Sequence, residues 1–112
     1  MYIRMYIGVD VKFAGFEWDD ANRQKCRKHG VSGAEIESLF SGVVFIAPDI
    51  AHSQTEERFK AIGKTDQGRP VVVAFTLRRT ARGTLIRPVS ARYMHQMEIE
   101  SYGQETATGA PD

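Results

Sequence analysis

The sequence predicts an α+β domain in which an antiparallel sheet of about four strands packs with two N-terminal helices and one C-terminal helix. Two segments with helix start and stop signals come early in the chain, before any long β-rich run. Residues 70–77 are rich in valine and phenylalanine and lie between two turns that contain glycine. The segment that follows the last strand, residues 92–102, is predicted to be the closing helix.

The first predicted elements are a short strand and a polar helix. Residues 13–18 form the strand, and Asp19 is a suitable N-cap for a helix that runs to about His29. Cys26 is one of the few apolar residues in this helix. Because a helix with so little apolar surface gains little from burial, we expect it to lie outside the deep core.

The second predicted helix has sequence signals at both ends. Gly30 can adopt the left-handed conformation that ends the first helix, and Ser32 and Glu35 have the spacing of a capping box. Gly42 is expected to close the second helix. Its buried positions are predicted from their helical spacing: Ile36, Leu39 and Phe40.

The sheet is predicted from β-rich runs separated by turns. These runs are residues 43–48, 55–62, 70–77 and 84–91. Residues 55–62 favour helix almost as well as strand, and their place before Gly63 and the next β-rich run decides for strand. Pro88 lacks the amide hydrogen that a ladder requires, which predicts an edge or a bulge. Residues 1–102 are predicted to form one domain, followed by a flexible tail, residues 103–112.

Composition excludes several classes of protein. A length of 112 residues fits one domain with a modest core. No apolar run is long enough to span a bilayer, and the first residues lack the layout of a signal peptide. The single cysteine, Cys26, excludes an intrachain disulfide and fits a reducing compartment. We therefore expect a cytoplasmic protein.

The charges are unevenly distributed, although the formal net charge is only +1. No acidic residue occurs between Asp66 and Glu98, and this interval contains six arginines: Arg69, Arg78, Arg79, Arg82, Arg87 and Arg92. A second basic cluster precedes His29: Arg23, Lys25, Arg27 and Lys28. Segregated positive charge suits the binding of a polyanion such as RNA. A solvated, arginine-rich hairpin explains the pattern equally well.

Neither a metal nor any other cofactor is expected, since the three histidines share no short spacing and the single cysteine has no second thiol. Arginines on strands are instead suited to binding phosphates through a rigid fork of donors. RNA cleavage needs a base for the 2′-hydroxyl proton, an acid for the leaving 5′-oxygen and cations around the phosphorus. Glu57 and His29 are candidates for the base. The candidates for the acid are His52, His95 and Tyr93.

A set of short motifs resembles one known protein family. The motifs are FEWD (residues 16–19), KHGVS (28–32), HS (52–53), EERF (56–59), IG (62–63), TLR (76–78), IR (86–87) and SAR (90–92). In this order they resemble the BrnT-type toxins of bacterial toxin–antitoxin modules. The resemblance implies a RelE/ParE-like fold and an endoribonuclease that inhibits translation. Because no metal site is expected from the sequence, the leading hypothesis is that this endoribonuclease is metal-independent. The resemblance also implies a BrnA-like antitoxin that binds operator DNA through a ribbon-helix-helix domain and masks the toxin.

The same resemblance assigns expected roles to residues of this chain. The expected catalytic residues are Lys28, His29, Glu57, Arg58, Arg78, Arg87 and Arg92. The two basic clusters add the expected RNA-binding residues Arg23, Lys25, Arg27, Arg79 and Arg82. Pro88 and Lys25 depart from the family pattern, and Pro88 is able to shift the neighbouring Arg87.

Two other functions are compatible with the sequence. A catalytically degenerate homologue would use its basic surface only to bind an antitoxin or nucleic acid. An inhibitor of another enzyme would insert its terminal helix into that enzyme. Fold alone does not separate these functions from RNA cleavage.

Overall fold

The computed structural model describes residues 2–4, 10–42, 44–49, 56–97 and 100. This described part contains seven strands and two helices. In chain order they are β1 (Tyr2–Arg4), β2 (Asp10–Lys12), β3 (Gly15–Phe16), α1 (Asp20–Arg27), α2 (Gly33–Phe40), β4 (Val44–Pro48), β5 (Arg58–Lys64), β6 (Pro70–Thr80) and β7 (Gly83–Tyr93). The α+β class is confirmed.

The main sheet has five strands in the order β3-β7-β6-β5-β4, and β1 and β2 form a separate antiparallel pair. Strands β4 to β7 are antiparallel neighbours, whereas β3 runs parallel to β7 through the pairs Gly15–Leu85 and Phe16–Ile86. The predicted set of about four antiparallel strands corresponds to β4 to β7, and the sheet differs from the prediction by a fifth strand, β3, which is parallel to its neighbour. Because β3 is only two residues long, nothing in its local sequence specifies the partner strand.

The predicted closing helix is wrong at its start. Arg92 and Tyr93 continue β7, where they pair with Val72 and Val71 of β6. The amide of Met94 also donates to a β6 carbonyl at 3.1 Å, so the ladder holds the backbone where a helix was expected. Farther along, helical conformation is described only at Gln96, Met97 and Glu100. Residues 103–112, the predicted tail, lie outside the described part.

Both helices begin at the predicted capping residues. The Asp19 side chain accepts from the amide of Asn22, and Ser32 does the same for Glu35, which completes a capping box in each helix. Gly30 has a φ of 87°, the left-handed conformation predicted for the end of the first helix. Neither of these two described helices is long and apolar enough to cross a membrane.

Helix α1 lies against β7 and buries a narrow stripe. Asn22 and Cys26 are its buried residues, and most of its other side chains are exposed. The Nδ2 of Asn22 donates to the carbonyls of Pro88 at 2.9 Å and Glu17 at 3.0 Å. Burial raises the pKa of the Cys26 thiol to about 11. The N-terminal part of α1 therefore contacts β7 through a polar side chain, that of Asn22.

The core lies between the two helices and one face of the sheet. Phe75 of β6 is fully buried; its ring stacks on Phe59 at a centroid distance of 5.5 Å and meets Phe40 edge-to-face at 5.4 Å. Phe16 extends this aromatic cluster to Phe13 near the N-terminal end. The predicted buried positions of α2 are confirmed: Ile36, Leu39 and Phe40.

Strand β7 contains a bulge at the predicted proline. Ser90 pairs with Ala74 and Pro88 pairs with Phe75, so Val89 is an extra residue in β7. The missing amide hydrogen of Pro88 is tolerated there, as the sequence predicted. Arg87 and Arg92 are five residues apart, a spacing that puts side chains on opposite faces of a regular strand. The bulge reverses the alternation, and both arginines lie on the same face.

Candidate functional site

The sheet face opposite the core is strongly basic. Cross-strand neighbours share a face, and the register places Arg58 of β5 opposite Thr76 of β6, which lies opposite Arg87 of β7. The same register and alternation add further side chains to this surface, which we call the basic face: Lys60, Ala74, Arg78, Ser90 and Arg92. The predicted segregation of positive charge thus has a structural basis.

A cleft of about 200 Å³ opens on the basic face. Val72 and Ala74 of β6 contribute to its lining. Its polar lining comes from the corner after α1, the strands and the residue after β4: His29, Asp49, Arg58, Lys60, Ser90 and Arg92. Of the expected catalytic residues, His29, Arg58 and Arg92 line this cleft. Their catalytic roles stay a prediction.

His29 reaches the cleft because the corner that follows α1 is held against the end of β7. The Tyr93 hydroxyl donates to Oε2 of Glu35 at 2.7 Å and lies 3.3 Å from the carbonyl oxygen of Gly30. The guanidinium carbon of Arg69 lies 3.4 Å from the centroid of the Tyr93 ring. The corner is thereby tied to α2 and β7.

Tyr93 is a candidate acid in the sequence, but in the structure its hydroxyl forms hydrogen bonds within this corner. Its ring packs against the core, and the register puts it on the side of β7 opposite Arg92. The hydrogen bond to Glu35 raises the pKa of Tyr93, which makes the phenol a weaker acid. The structure gives Tyr93 a role in positioning rather than a place among the cleft residues.

Arg87 lies on the basic face beside the cleft and is held by two carboxylates. Its Nη1 lies 3.2 Å from Oε1 of Glu17, and its Nη2 lies 2.9 Å from Oδ2 of Asp19. The pKa of Asp19 is lowered, first by the hydrogen bond from the Asn22 amide and then by that from Arg87. The Arg87 guanidinium therefore belongs to a local cluster of charges.

Arg78 also lies on the basic face outside the lining of this cleft. Its Nη2 donates to Oε1 of Glu56 at 3.3 Å, and its Nε lies 3.0 Å from Oε2 of the same carboxylate without the alignment of a hydrogen bond. Both side chains are more than 40% exposed, at 43% and 41%. Such an exposed ion pair contributes about 0–1 kcal/mol, so it is easily exchanged for another anion.

Glu57, the other candidate base, lies elsewhere. It precedes Arg58, and it lines a second cleft of about 250 Å³ together with Phe59 and Arg79. Phe59 belongs to the core side of the sheet. The structure therefore does not bring Glu57 or Arg79 together with His29, Arg58 and Arg92.

The remaining predicted residues are spread over the exposed surface. Arg23 lies over the Trp18 ring, with its guanidinium carbon 5.3 Å from the ring centroid. Other exposed cations lie on α1, directly after it and in the turn between β6 and β7: Lys25, Arg27, Lys28 and Arg82. His95 is exposed beyond the end of β7, and His52 lies outside the described residues.

Two charged cleft residues were missed by sequence reasoning. Lys60 shares a face with Arg58 because the two lie two residues apart along β5, a signal available once that strand is recognised. Asp49 directly follows β4 and is only 6% exposed, and its amide donates to the carbonyl of Arg58 at 2.7 Å. Nothing in the local sequence distinguishes Asp49 from an ordinary loop residue. It gives the cleft a carboxylate in addition to the imidazole of His29.

The burial of Thr76 on the basic face can be tested by measuring the stability of a variant. It is 3% exposed, and its Oγ1 has no hydrogen-bond partner within the described part of the chain. A buried hydroxyl without a partner is destabilising, so Thr76→Val is expected to raise the free energy of unfolding by about 1 kcal/mol in urea denaturation. Thr80→Val is the matched control, because the Thr80 hydroxyl donates to Gly83 at 2.8 Å. A loss of stability in Thr76→Val would contradict the assignment.

Comparison with known families identifies the family of this chain. The model of the family described as "Ribonuclease toxin, BrnT, of type II toxin-antitoxin system" matches residues 18–98. This match covers more than half of the 112 residues and includes every residue that lines the cleft on the basic face. No curated protein matches the chain.

Proposed function

Since the chain belongs to the BrnT family of ribonuclease toxins of type II toxin–antitoxin systems, we propose that it cleaves RNA at the cleft on the basic face without a metal ion. The observation that carries this proposal is the composition of the cleft. Arg58 and Arg92 line it from two different strands, and His29 and Asp49 line it with groups able to exchange protons. A cationic site with an acid and a base meets the requirements of phosphodiester cleavage through the 2′-hydroxyl.

The proposed reaction forms one phosphorus–oxygen bond, breaks another and transfers two protons. The Asp49 carboxylate accepts the 2′-hydroxyl proton, and O2′ attacks the adjacent phosphorus to form a 2′,3′-cyclic phosphate. The bond from phosphorus to O5′ breaks, and His29 in its protonated form supplies the proton to that oxygen. Arg58 and Arg92 stabilise the negative charge that develops on the phosphoryl oxygens, a contribution that preorganised donors make in a site of low dielectric.

The exposed cations are proposed to bind RNA outside the cleft. Lys28 adjoins His29, and α1 carries three further cations on the same exposed helix: Arg23, Lys25 and Arg27. Their positive potential steers a polyanion toward the cleft. Arg79 and Arg82 extend the positive charge to the tip of the hairpin formed by β6 and β7. Glu57 and Arg78 are given no direct role in the reaction.

The biological part of the proposal follows from family membership. Cleavage of RNA would inhibit translation in the cytoplasm until a BrnA-like ribbon-helix-helix antitoxin masks the toxin. Contact with operator DNA would occur through that antitoxin. The alternative is a homologue that binds RNA or antitoxin without cleavage.

The test is incubation of the purified protein with a 5′-labelled RNA in excess chelator. We expect cleavage to products with a 2′,3′-cyclic phosphate, and we expect Arg58→Ala to slow it about 100-fold because one aimed donor is lost. Lys12→Ala, which removes an exposed charge on β2, is the control for a nonspecific effect of charge. Circular dichroism verifies that each variant is folded.

The outcomes separate the two functions. RNA that stays intact with the wild type, but is retained by it in a filter-binding assay, would favour the binding homologue. Cleavage that stops on addition of chelator and returns with Mg²⁺ would disprove the metal-independent reaction. Equal rates of cleavage for the wild type and Arg58→Ala would show that the cleft is not the site of cleavage.

A further inference from the structure

We propose that Arg87 is a positioning residue, which holds the N-terminal end of α1 against β7 and thereby keeps His29 at the cleft, rather than a ligand of an RNA phosphate. This inference rests on the proposed function and concerns the same site. It changes the role that the family resemblance implies for Arg87.

The charge around Arg87 argues against phosphate binding. Both terminal nitrogens of the guanidinium contact carboxylates, at 3.2 Å from Glu17 and 2.9 Å from Asp19. The Arg87 side chain is only 18% exposed. Two carboxylates around one guanidinium leave a net negative charge, so a phosphate would have to displace both and would be repelled by them.

The contacts of α1 explain how Arg87 acts on the cleft. Asp19 is the N-cap of α1, so the ion pair attaches the first turn of the helix directly to β7. A second attachment at the same end is the bond from Asn22 to the Pro88 carbonyl, next to Arg87 in the chain. His29 follows the other end of this short helix. Because α1 is a single rigid element, a shift of its first turn moves His29.

Removal of the carboxylates distinguishes the two roles. Glu17→Gln together with Asp19→Asn removes both negative charges, while asparagine remains a good N-cap. If Arg87 positions α1, this double variant has the same defect as Arg87→Gln. If Arg87 binds phosphate, the double variant releases its guanidinium and RNA binds more tightly.

The experiment compares kcat and KM for a short RNA among the wild type, Arg87→Gln and the double variant. We expect both variants to lose about 10-fold in kcat with KM within about 2-fold, since the displaced group acts in the transition state and not in binding. A lower KM in the double variant, or a raised KM with unchanged kcat in Arg87→Gln, would overturn the proposal. If Arg87→Gln fails to fold, the double variant alone gives the answer.

A second measurement does not depend on cleavage. The ring protons of His29 are followed by NMR without RNA in the same three proteins, with His95 as an internal reference. We expect the His29 signals to shift in both variants and the His95 signals to stay in place. Unchanged His29 signals would disprove the positioning role even if the protein cleaves RNA, and absence of cleavage by the wild type would disprove only the proposed function.

Discussion

Arg92→Ala is expected to slow RNA cleavage by about 100-fold, the effect of removing one preorganised donor from a developing negative charge. Arg92 lines the cleft opposite Val72, on the same side of the sheet as Arg58. Arg92→Lys is expected to recover only part of the rate, because lysine keeps the charge but lacks the fork that contacts two phosphoryl oxygens. Single-turnover rates on a short labelled RNA measure both variants.

The control for Arg92 is again Lys12→Ala, which is expected to keep the wild-type rate. Denaturation in urea shows whether Arg92→Ala is folded under the assay conditions. A folded Arg92→Ala protein with a rate within about 3-fold of the wild type would contradict the proposed role, since one effective donor contributes far more.

Phe75→Ala is expected to lower the free energy of unfolding by about 3–5 kcal/mol, the usual cost of removing a large aromatic side chain from a packed core. Phe75 is 0% exposed and contacts the rings of both Phe40 and Phe59. The substitution removes the ring contact between Phe40 of α2 and the centre of the sheet. Chemical denaturation, followed by circular dichroism, gives the change.

Phe45→Ala is the matched control, because Phe45 is 45% exposed on the outermost strand of the sheet. We expect this substitution to cost less than about 1 kcal/mol. Similar losses for the two variants would mean that the aromatic cluster is not the centre of the core.

The features that could be predicted from sequence are those specified by neighbouring residues. The caps Asp19 and Ser32 and the terminating Gly30 depend on contacts within one helical turn, and all three are confirmed. The bulge at Pro88 was also predictable, because proline cannot donate to the ladder. Residues 55–62 were correctly interpreted as a strand, which the structure describes from Arg58 onward.

The features that could not be predicted depend on distant partners. The parallel pairing of β3 with β7 joins segments seventy residues apart, as in Gly15 with Leu85. The segment that begins at Arg92 has a composition that allows helix, but the pairing of Arg92 with Val72 keeps this residue in the sheet. In the cleft, His29, Arg58 and Arg92 were named from the sequence, whereas Asp49 required the pairing of β4 with β5.

The two carboxylates around Arg87 illustrate a further limit of sequence reasoning. The interval from residue 67 to residue 97 contains six arginines and no acidic residue. The acids that neutralise Arg87 come from Glu17 and Asp19, in a different part of the chain. The role of an arginine therefore depends on neighbours that its own segment does not reveal.

The additional residue at position 89 has a consequence for comparing or redesigning chains of this kind. A chain that shortened the interval between Arg87 and Arg92 by one residue would retain both guanidinium groups on one side with an uninterrupted strand. Deleting a residue after Arg92 instead would leave Val89 as the extra residue in β7. Differences of a single position in this interval are thus compatible with an unchanged arrangement of charge, and an alignment that forbids a gap there would pair the wrong side chains.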